Sequence, residues 1–365
     1  MIDRLRELVE TESPSDDPAA LAPCADLLDG WFAAVLGSPA RRPVAGLAHL
    51  LWAAPDPAVL LLGHFDTVWP SGTLAEIPFS VVDGIARGPG VFDMKAGIVQ
   101  ALTALGLCAR PDRVSVLWTC DEETGSATSR DVIEQEALRA GAVLVCEPSA
   151  DGGAVKTARK GIASYRLHIT GRAAHAGLEP ERGVNATVEA AHQILALAAL
   201  SRPETGTTVT PTLIHGGTTS NSVPESTNVA LDVRAWTRDE LDRVHGALRT
   251  LRTVLPGAAL TVEGEINRYP LEPGQATRLL TMVQDAARAL GLPPPEGVRS
   301  GGGSDGNLTA AVGVPTLDGL GAVGAHPHAR DEWVDARAIP DRAALLAALL
   351  DRCTVAEPGH SPSTR

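Results

Sequence analysis

Three observations in the sequence predict an α/β fold with a mostly parallel sheet, interrupted by an inserted ferredoxin-like α+β domain. The first is a set of short, unbroken apolar runs at 58–63 (AVLLLG), 114–119 (VSVLWT) and 142–146 (AVLVC). Runs of this length, bounded by turn residues, suit strands buried on both faces. The second is that helical stretches, roughly 95–109 and 126–140, separate these runs. Strand, helix and strand in alternation build a parallel sheet. The third is a change of pattern between about 158 and 268. There 162–170 (IASYRLHIT) alternates as a half-buried strand, and 184–200 is an apolar-rich helix. Strands at 207–215 and 228–237 follow, then a charged amphipathic helix at 238–254 and a strand near 258–266. The order β-α-β-β-α-β is the ferredoxin-like arrangement. The domains are therefore expected to interleave, with 1–157 and 269–365 forming one and 158–268 the other. After the insert come a helix at 275–291, a breaker at Pro293, Pro294 and Pro295, and the glycine-rich segment SGGGSDGN at 300–307. From about Glu357 the sequence EPGHSPSTR reads as a disordered tail.

Composition agrees with two domains. The chain has 365 residues, and its 44% hydrophobic content supplies two cores despite only 3% aromatics. A net charge of −13 argues against nucleic acid and anionic membrane surfaces as partners. Cys24, Cys108, Cys120, Cys146 and Cys353 are scattered, with no CxxC spacing. Three of them lie in apolar elements, so buried free thiols in a reducing compartment are expected. The N-terminus MIDRLRELVE reads as a charged helix start rather than a signal peptide, and no apolar run approaches membrane length. The expectation is a cytoplasmic protein.

The residues able to do chemistry gather where strands end. His64 closes the first run inside GHFDTV (63–68). Asp121, Glu122 and Glu123 follow the second in CDEETGS (120–126), and Glu147 follows the third in CEPS (146–149). Open α/β sheets bind ligands just beyond the carboxyl ends of their strands, so these side chains should converge on one rim. Two further clusters are GPGVFDMKAG (88–97), with Asp93, and GAHPHARDEWV (324–334). Together they supply enough histidines and carboxylates for two metal ions sharing one carboxylate, with water left as the attacking group. Any single cluster reads equally well as solvated loop carboxylates; all of them together do not. His64 and Asp66, two apart in an extended segment, project to one face, where Asp66 can accept the second ring N–H of a metal-bound imidazole. The Asp93 segment matches neither GxxxxGK[ST] nor GxGxxG, so a phosphate-binding loop is disfavoured. Adjacent Glu122 and Glu123 diverge in an extended backbone, which lets one bind metal while the other serves as a base.

In this order the motifs resemble the dinuclear zinc exopeptidase and deacylase family of glutamate carboxypeptidase, acetylornithine deacetylase and succinyl-diaminopimelate desuccinylase. The resemblance covers nearly the whole chain. It implies two zinc ions per subunit, with cobalt or manganese as alternatives, held by His64, Asp93, Glu123, Glu147 and one late histidine. Asp93 would bridge the ions, Glu122 would be the general base, Asp66 would orient its neighbours, and the Asp93–Met94 peptide would be cis. His328 stands four residues before Glu332, the family's usual spacing, and is the favoured late ligand, with His326 as the alternative.

The insert carries a second set: His175 in GRAAHAG (171–177), Asn221 in HGGTTSN (215–221) and Arg234 in LDVRAW (231–236). Read alone, His175 is a loop histidine, and Arg234, sharing a face with Asp232 and Trp236, is a candidate for a cross-strand ion pair. The resemblance implies more. In a homodimer, His175 from the partner subunit would stabilise the oxyanion. Arg234 and Asn221 would hold a substrate carboxylate, with backbone N–H groups near Gly302 adding donors. RKGI (159–162), CEPS and GGGSDGN look more like the glutamate carboxypeptidase branch. The expected activity is hydrolysis of an amide bond next to a free carboxylate, in a small peptide or an N-acyl amino acid. An N-acyl-amino-acid deacylase or an N-carbamoyl or ureido amidohydrolase is the alternative. Retention of Glu122 disfavours a non-catalytic relative. His168, His192, His245 and His360 are expected on surfaces or in packing.

Overall fold

The computed structural model describes residues 1–355; the tail expected from Glu357, with His360, lies outside them. Two compact units make up the chain. One combines Met1–Ala158, Leu271–Ser300 and the chain from Ser304 onward; the other combines Arg159–Pro270 with Gly301–Gly303.

The first unit opens with helices α1 (Ile2–Glu10) and α2 (Pro18–Leu36). Strands β1 (Leu50–Trp52), β2 (Val59–His64), β3 (Ser80–Val82) and β4 (Ile85–Arg87) follow, then α3 (Ala96–Leu107), β5 (Val114–Thr119), α4 (Arg130–Arg139), β6 (Val143–Val145) and β7 (Val155–Arg159). The second unit runs β8 (Gly161–Thr170), α5 (Ala186–Ala198), β9 (Thr208–Gly216), β10 (Ser226–Ala235), α6 (Arg238–Arg249) and β11 (Ala259–Arg268). The first unit resumes with α7 (Thr277–Ala289), β12 (Gly297–Ser300), α8 (Gly306–Ala311), β13 (Thr316–Leu317), β14 (Gly324–Ala325), β15 (Trp333–Asp335) and α9 (Ile339–Val355).

The main sheet has the order β1-β5-β2-β6-β13. Every neighbour is parallel except β1, which runs antiparallel to β5. Each residue of β2 and β5 is buried, which is why these segments are apolar without alternation. Leu61 and Trp118 pack on one face with Phe32 and α3; Leu60, Leu62 and Leu117 pack on the other with Ile133 of α4 and Leu308 of α8. Gly97, at the start of α3, lies so close to the carbonyl oxygen of Cys146 that a β-carbon there would collide with it. That approach draws the Asp93 segment against the end of β6.

The sequence shows no apolar run of membrane length, yet α2 is 19 residues long and apolar enough to cross a membrane by composition. Its packing explains that composition. Leu21, Cys24, Ala25, Leu28 and Phe32 face the core, while Asp26 pairs with Arg42 and Asp29 accepts the Ala40 N–H. Asp17 caps the helix through the Ala19 and Ala20 N–H groups, Pro18 opens it, and Gly37 ends it in the left-handed conformation.

A small antiparallel sheet, β14-β15-β4-β3, is not anticipated by the sequence, nor are β1 and the β12-β7 pair. The small sheet matters for the site, because β4 precedes the Asp93 segment and β15 follows the His328 segment. Their pairing, Trp333 opposite Arg87 and Val334 opposite Ala86, fixes the two segments relative to one another.

In the second unit the antiparallel order β11-β8-β10-β9 with two helices is ferredoxin-like. Leu167, Ile169, Val229, Leu231 and Val233 form its core with Leu197 of α5 and Val244 and Leu248 of α6. Strand β9 is an edge, and its Leu213 and Ile214 are half exposed, at 59% and 50%. All five cysteines are buried and unpaired, as expected.

Candidate metal centre

Strand β2 delivers His64 to the rim, buried, with Nδ1 3.0 Å from the carbonyl oxygen of Asp66 and 3.4 Å from its carboxylate. The ring therefore turns Nε2 outward, 3.3 Å from Asp93 Oδ1 and 3.4 Å from Glu147 Oε1. On the other side of Asp93, Oδ2 lies 3.4 Å from His328 Nε2, which is itself 3.1 Å from Glu123 Oε1. One carboxylate thus faces two clusters, each with a histidine and a glutamate. The Asp93–Met94 peptide is cis, as the resemblance implies.

Glu122 and Glu123 are not in extended backbone, which is a correction to the sequence reading. They occupy a tight turn, Glu122–Thr124, closed by Gly125 and Ser126 at φ of 99° and 59°. Asp66 holds this turn: Oδ1 accepts the Glu122 N–H at 3.3 Å, and Oδ2 accepts the Glu123 N–H at 3.2 Å and the Ser15 hydroxyl at 2.7 Å. The two carboxylates still part company. Glu123 turns to His328 and also offers an oxygen within 4.8 Å of His64 and Asp93, whereas Glu122 joins His64 and Glu147, each offering one atom within 4.8 Å of the others.

The electrostatics of so many carboxylates in one place call for cations. Burial opposes protonation of His64, but Asp66, Asp93 and Glu147 outweigh it and hold the imidazole well above its ordinary pKa. Asp93 and Glu123 push His328 up to about 10. Burial would raise Asp93, yet His328 and His64 keep it below the usual carboxylate range. Burial raises Glu123. Protons on imidazole here stand in for positive charge that the donors were shaped to receive. Asp93 Oδ1 is buried and takes no hydrogen bond among the described residues. Imidazole nitrogen and carboxylate oxygen suit divalent zinc, cobalt or manganese. The residues therefore fit the implied pair of ions.

His326 does not reach this cluster; it is exposed and binds Asp331 at 2.8 Å. His49 is a buried histidine that sequence reading passes over. Its ring lies 3.2 Å from the Cys120 N–H and 2.9 Å from the Thr128 hydroxyl, so it braces the turn from behind. Ser15 was also missed, since nothing in local spacing links it to Asp66.

The remaining site candidates lie in the second unit. His175 Nδ1 accepts the N–H groups of Gly177 and Leu178 at 3.1 and 3.2 Å, which assigns the ring proton to Nε2. The Ala176 N–H donates to the carbonyl of Asn221 at 2.9 Å, so His175 and Asn221 are neighbours. Arg234 is forked onto Asp232 in its own strand, at 2.9 to 3.1 Å, rather than across strands. Those bonds use Nε and Nη2. The carbonyls of Gly302 and Gly303 accept from Arg159.

A carboxylate shared by two histidine–carboxylate clusters, at the carboxyl rim of a mostly parallel sheet, defines a metal-dependent hydrolase. The comparison with known proteins agrees: the model of peptidase family M20/M25/M40 matches residues 60–352, and the chain belongs to that family. Carboxypeptidase G2 of Pseudomonas sp. (strain RS-16) is 31% identical over 370 residues, covering 96% of this chain and 88% of that protein. Acetylornithine deacetylase of Salmonella arizonae is 31% identical over 274 residues, 68% of this chain and 70% of its own. Among solved structures, aminopeptidase PepT from Bacillus cereus superposes with a TM-score of 0.78 at 22% identity, over 97% of this chain and 98% of that one, which shows the fold.

Proposed function

We propose that the chain hydrolyses an amide bond whose amine side is an amino acid with a free carboxylate, in the manner of a carboxypeptidase. The observation that carries this reading is Asp93, with each carboxylate oxygen turned to a separate cluster and Glu122 beside the first. His64, Glu147 and Asp93 Oδ1 would hold one divalent ion, and His328, Glu123 and Asp93 Oδ2 the other, with zinc as the expected metal. When bound, such ions lower the pKa of a water from about 16 toward about 7 and polarise a carbonyl. Glu122 takes the proton from the attacking water and returns it to the leaving nitrogen as the C–N bond breaks. Asp66 keeps that base in place by gripping its backbone N–H.

The acyl half of the substrate is the open variable. Likeness to carboxypeptidase G2 over almost the whole chain favours a peptide or a glutamate conjugate, and the shorter likeness to acetylornithine deacetylase favours a small acyl group. A hydrolysis panel of dipeptides, folate-type glutamates and N-acyl amino acids with zinc-loaded protein separates the two. No cleavage anywhere in the panel would refute both. Five buried free thiols support a reducing, cytoplasmic setting as part of the same reading.

A homodimer belongs to this proposal. The β9 edge, with unpaired backbone and exposed Leu213 and Ile214, supports pairing with a second copy. His175, with its proton on Nε2, is suited to donate to an oxyanion in the partner's site. Mixing His175→Ala chains with Glu122→Gln chains should then restore activity, because one of the two composite sites is intact. Heterodimers that form and stay inert would remove His175 from the partner's chemistry.

Arg234 and Asn221 would bind the substrate carboxylate. Asp232 already neutralises part of the guanidinium, and the side chain is 31% exposed, so the expected gain is modest. Amidating the substrate carboxylate should cost about 2 kcal/mol in kcat/KM, the low end for a charged pair. Arg234→Lys should recover only part of what Arg234→Ala loses, since an ammonium lacks the fork. Equal cleavage of free-acid and amide substrates by the wild type would leave Arg234 as a partner of Asp232 alone.

A further inference from the structure

We propose that Glu332 is a positioning residue that fixes Asp93 between its two clusters and thereby sets the affinity of the centre for divalent ions. The inference rests on the metal-centre reading above. Glu332 is buried, at 2% exposure, and its carboxylate receives four N–H groups from two other segments. Oε1 accepts from Phe92 at 2.8 Å and Asp93 at 2.9 Å; Oε2 accepts from Gly90 at 3.1 Å and the Trp69 indole at 3.3 Å. A carboxylate has about four acceptor positions, so this one is fully used and cannot rotate without breaking bonds. One of its donors is the backbone N–H of Asp93 itself. Any displacement of Glu332 passes directly to the residue whose side chain faces both clusters.

The same short turn carries His328. The Ala329 N–H donates to His326 and the Glu332 N–H donates to Ala329, so the turn is closed on itself. Directly after it, Trp333 pairs opposite Arg87, just before Gly88–Gly90. The 326–332 turn thus presents His328 to Asp93 Oδ2 at one end and grips the Asp93 backbone at the other. Outer groups that orient metal ligands usually change affinity by about 10–100-fold when lost.

Glu332→Gln is nearly isosteric and tests this. Its amide oxygen can still serve Phe92 and Asp93, but its NH2 then points at two other donors, Gly90 and Trp69. The measurement is competition of chelator-stripped protein against a chromophoric chelator for zinc and for cobalt, beside wild type. Expected are dissociation constants raised about 10–100-fold, with a cooperative melt retained by the metal-free variant, and kcat recovered in excess metal at unchanged KM. A variant that binds both metals as tightly as wild type would overturn the proposal. Wild-type protein that binds neither metal would instead overturn the metal-centre reading. If Glu332→Gln does not fold, Trp69→Phe removes one donor and no charge. Weaker binding in that variant supports the role, and wild-type affinity refutes it.

Discussion

Glu122→Gln is expected to lower kcat by about 10²–10⁴ while metal content stays at the wild-type level. The amide keeps the shape of the side chain and removes only its ability to take a proton. The bond that holds Glu122 in place survives, because Asp66 grips the backbone N–H and not the carboxylate. Glu123→Gln should behave differently. Its Oε1 lies 3.1 Å from His328 Nε2, inside the second cluster, and a neutral amide is a poor ligand there. That variant should lose metal and activity together, and added metal should restore part of both. Elemental analysis beside kcat distinguishes the two glutamates. If Glu123→Gln keeps its metal and loses turnover while Glu122→Gln loses metal, the roles are exchanged.

The site was legible wherever a ligand candidate stands at or just past the end of an apolar run that becomes a fully buried strand. His64 closes β2, and Glu123 and Glu147 come shortly after β5 and β6, whose complete burial writes itself into the sequence as unbroken apolar residues. Asp93 was legible for a different reason: its glycine-rich surroundings matched a family motif and no phosphate loop. Conformation that depends on distant partners was not legible. Glu122 and Glu123 looked extended, because nothing local reveals that Asp66, more than fifty residues earlier, accepts both of their N–H groups and shapes the turn.

Nor could the small sheet be found. Strands β4, β14 and β15 have two or three residues each, too few to show a period of two, although their pairing aligns the Asp93 and His328 segments. Spacing to Glu332 favours His328 over His326, and side-chain direction agrees, since His326 turns to Asp331 while His328 lies beside Asp93 and Glu123. Arg234 shows the converse. Its partner Asp232 is visible in the sequence as a same-face neighbour, yet the residues read alone point to a carboxylate on a neighbouring strand. An arginine is long enough to fold back two residues along its own strand.

Losing Asp93 should cost more than losing any other ligand. If Oδ1 completes one cluster and Oδ2 the other, Asp93→Asn disables both positions at once. The amide has one oxygen for two tasks, and its NH2 meets a histidine nitrogen or a cation on whichever side it faces. His328→Ala should vacate only the cluster that holds Glu123, because His64 and Glu147 sit with Oδ1 and are untouched by it. The expected series is about two divalent ions per wild-type chain, about one in His328→Ala and close to none in Asp93→Asn, under one metal concentration. Activity should follow the same order, with Asp93→Asn at background. Exhaustive chelation should bring wild type to that level, and zinc should bring it back. Folding is the control: the fully packed faces of β2 and β5 do not depend on the centre, so the variants should keep their secondary structure. An Asp93→Asn protein that retains two ions would show that Asp93 bridges nothing. Activity that survives chelation would end the metallohydrolase reading altogether.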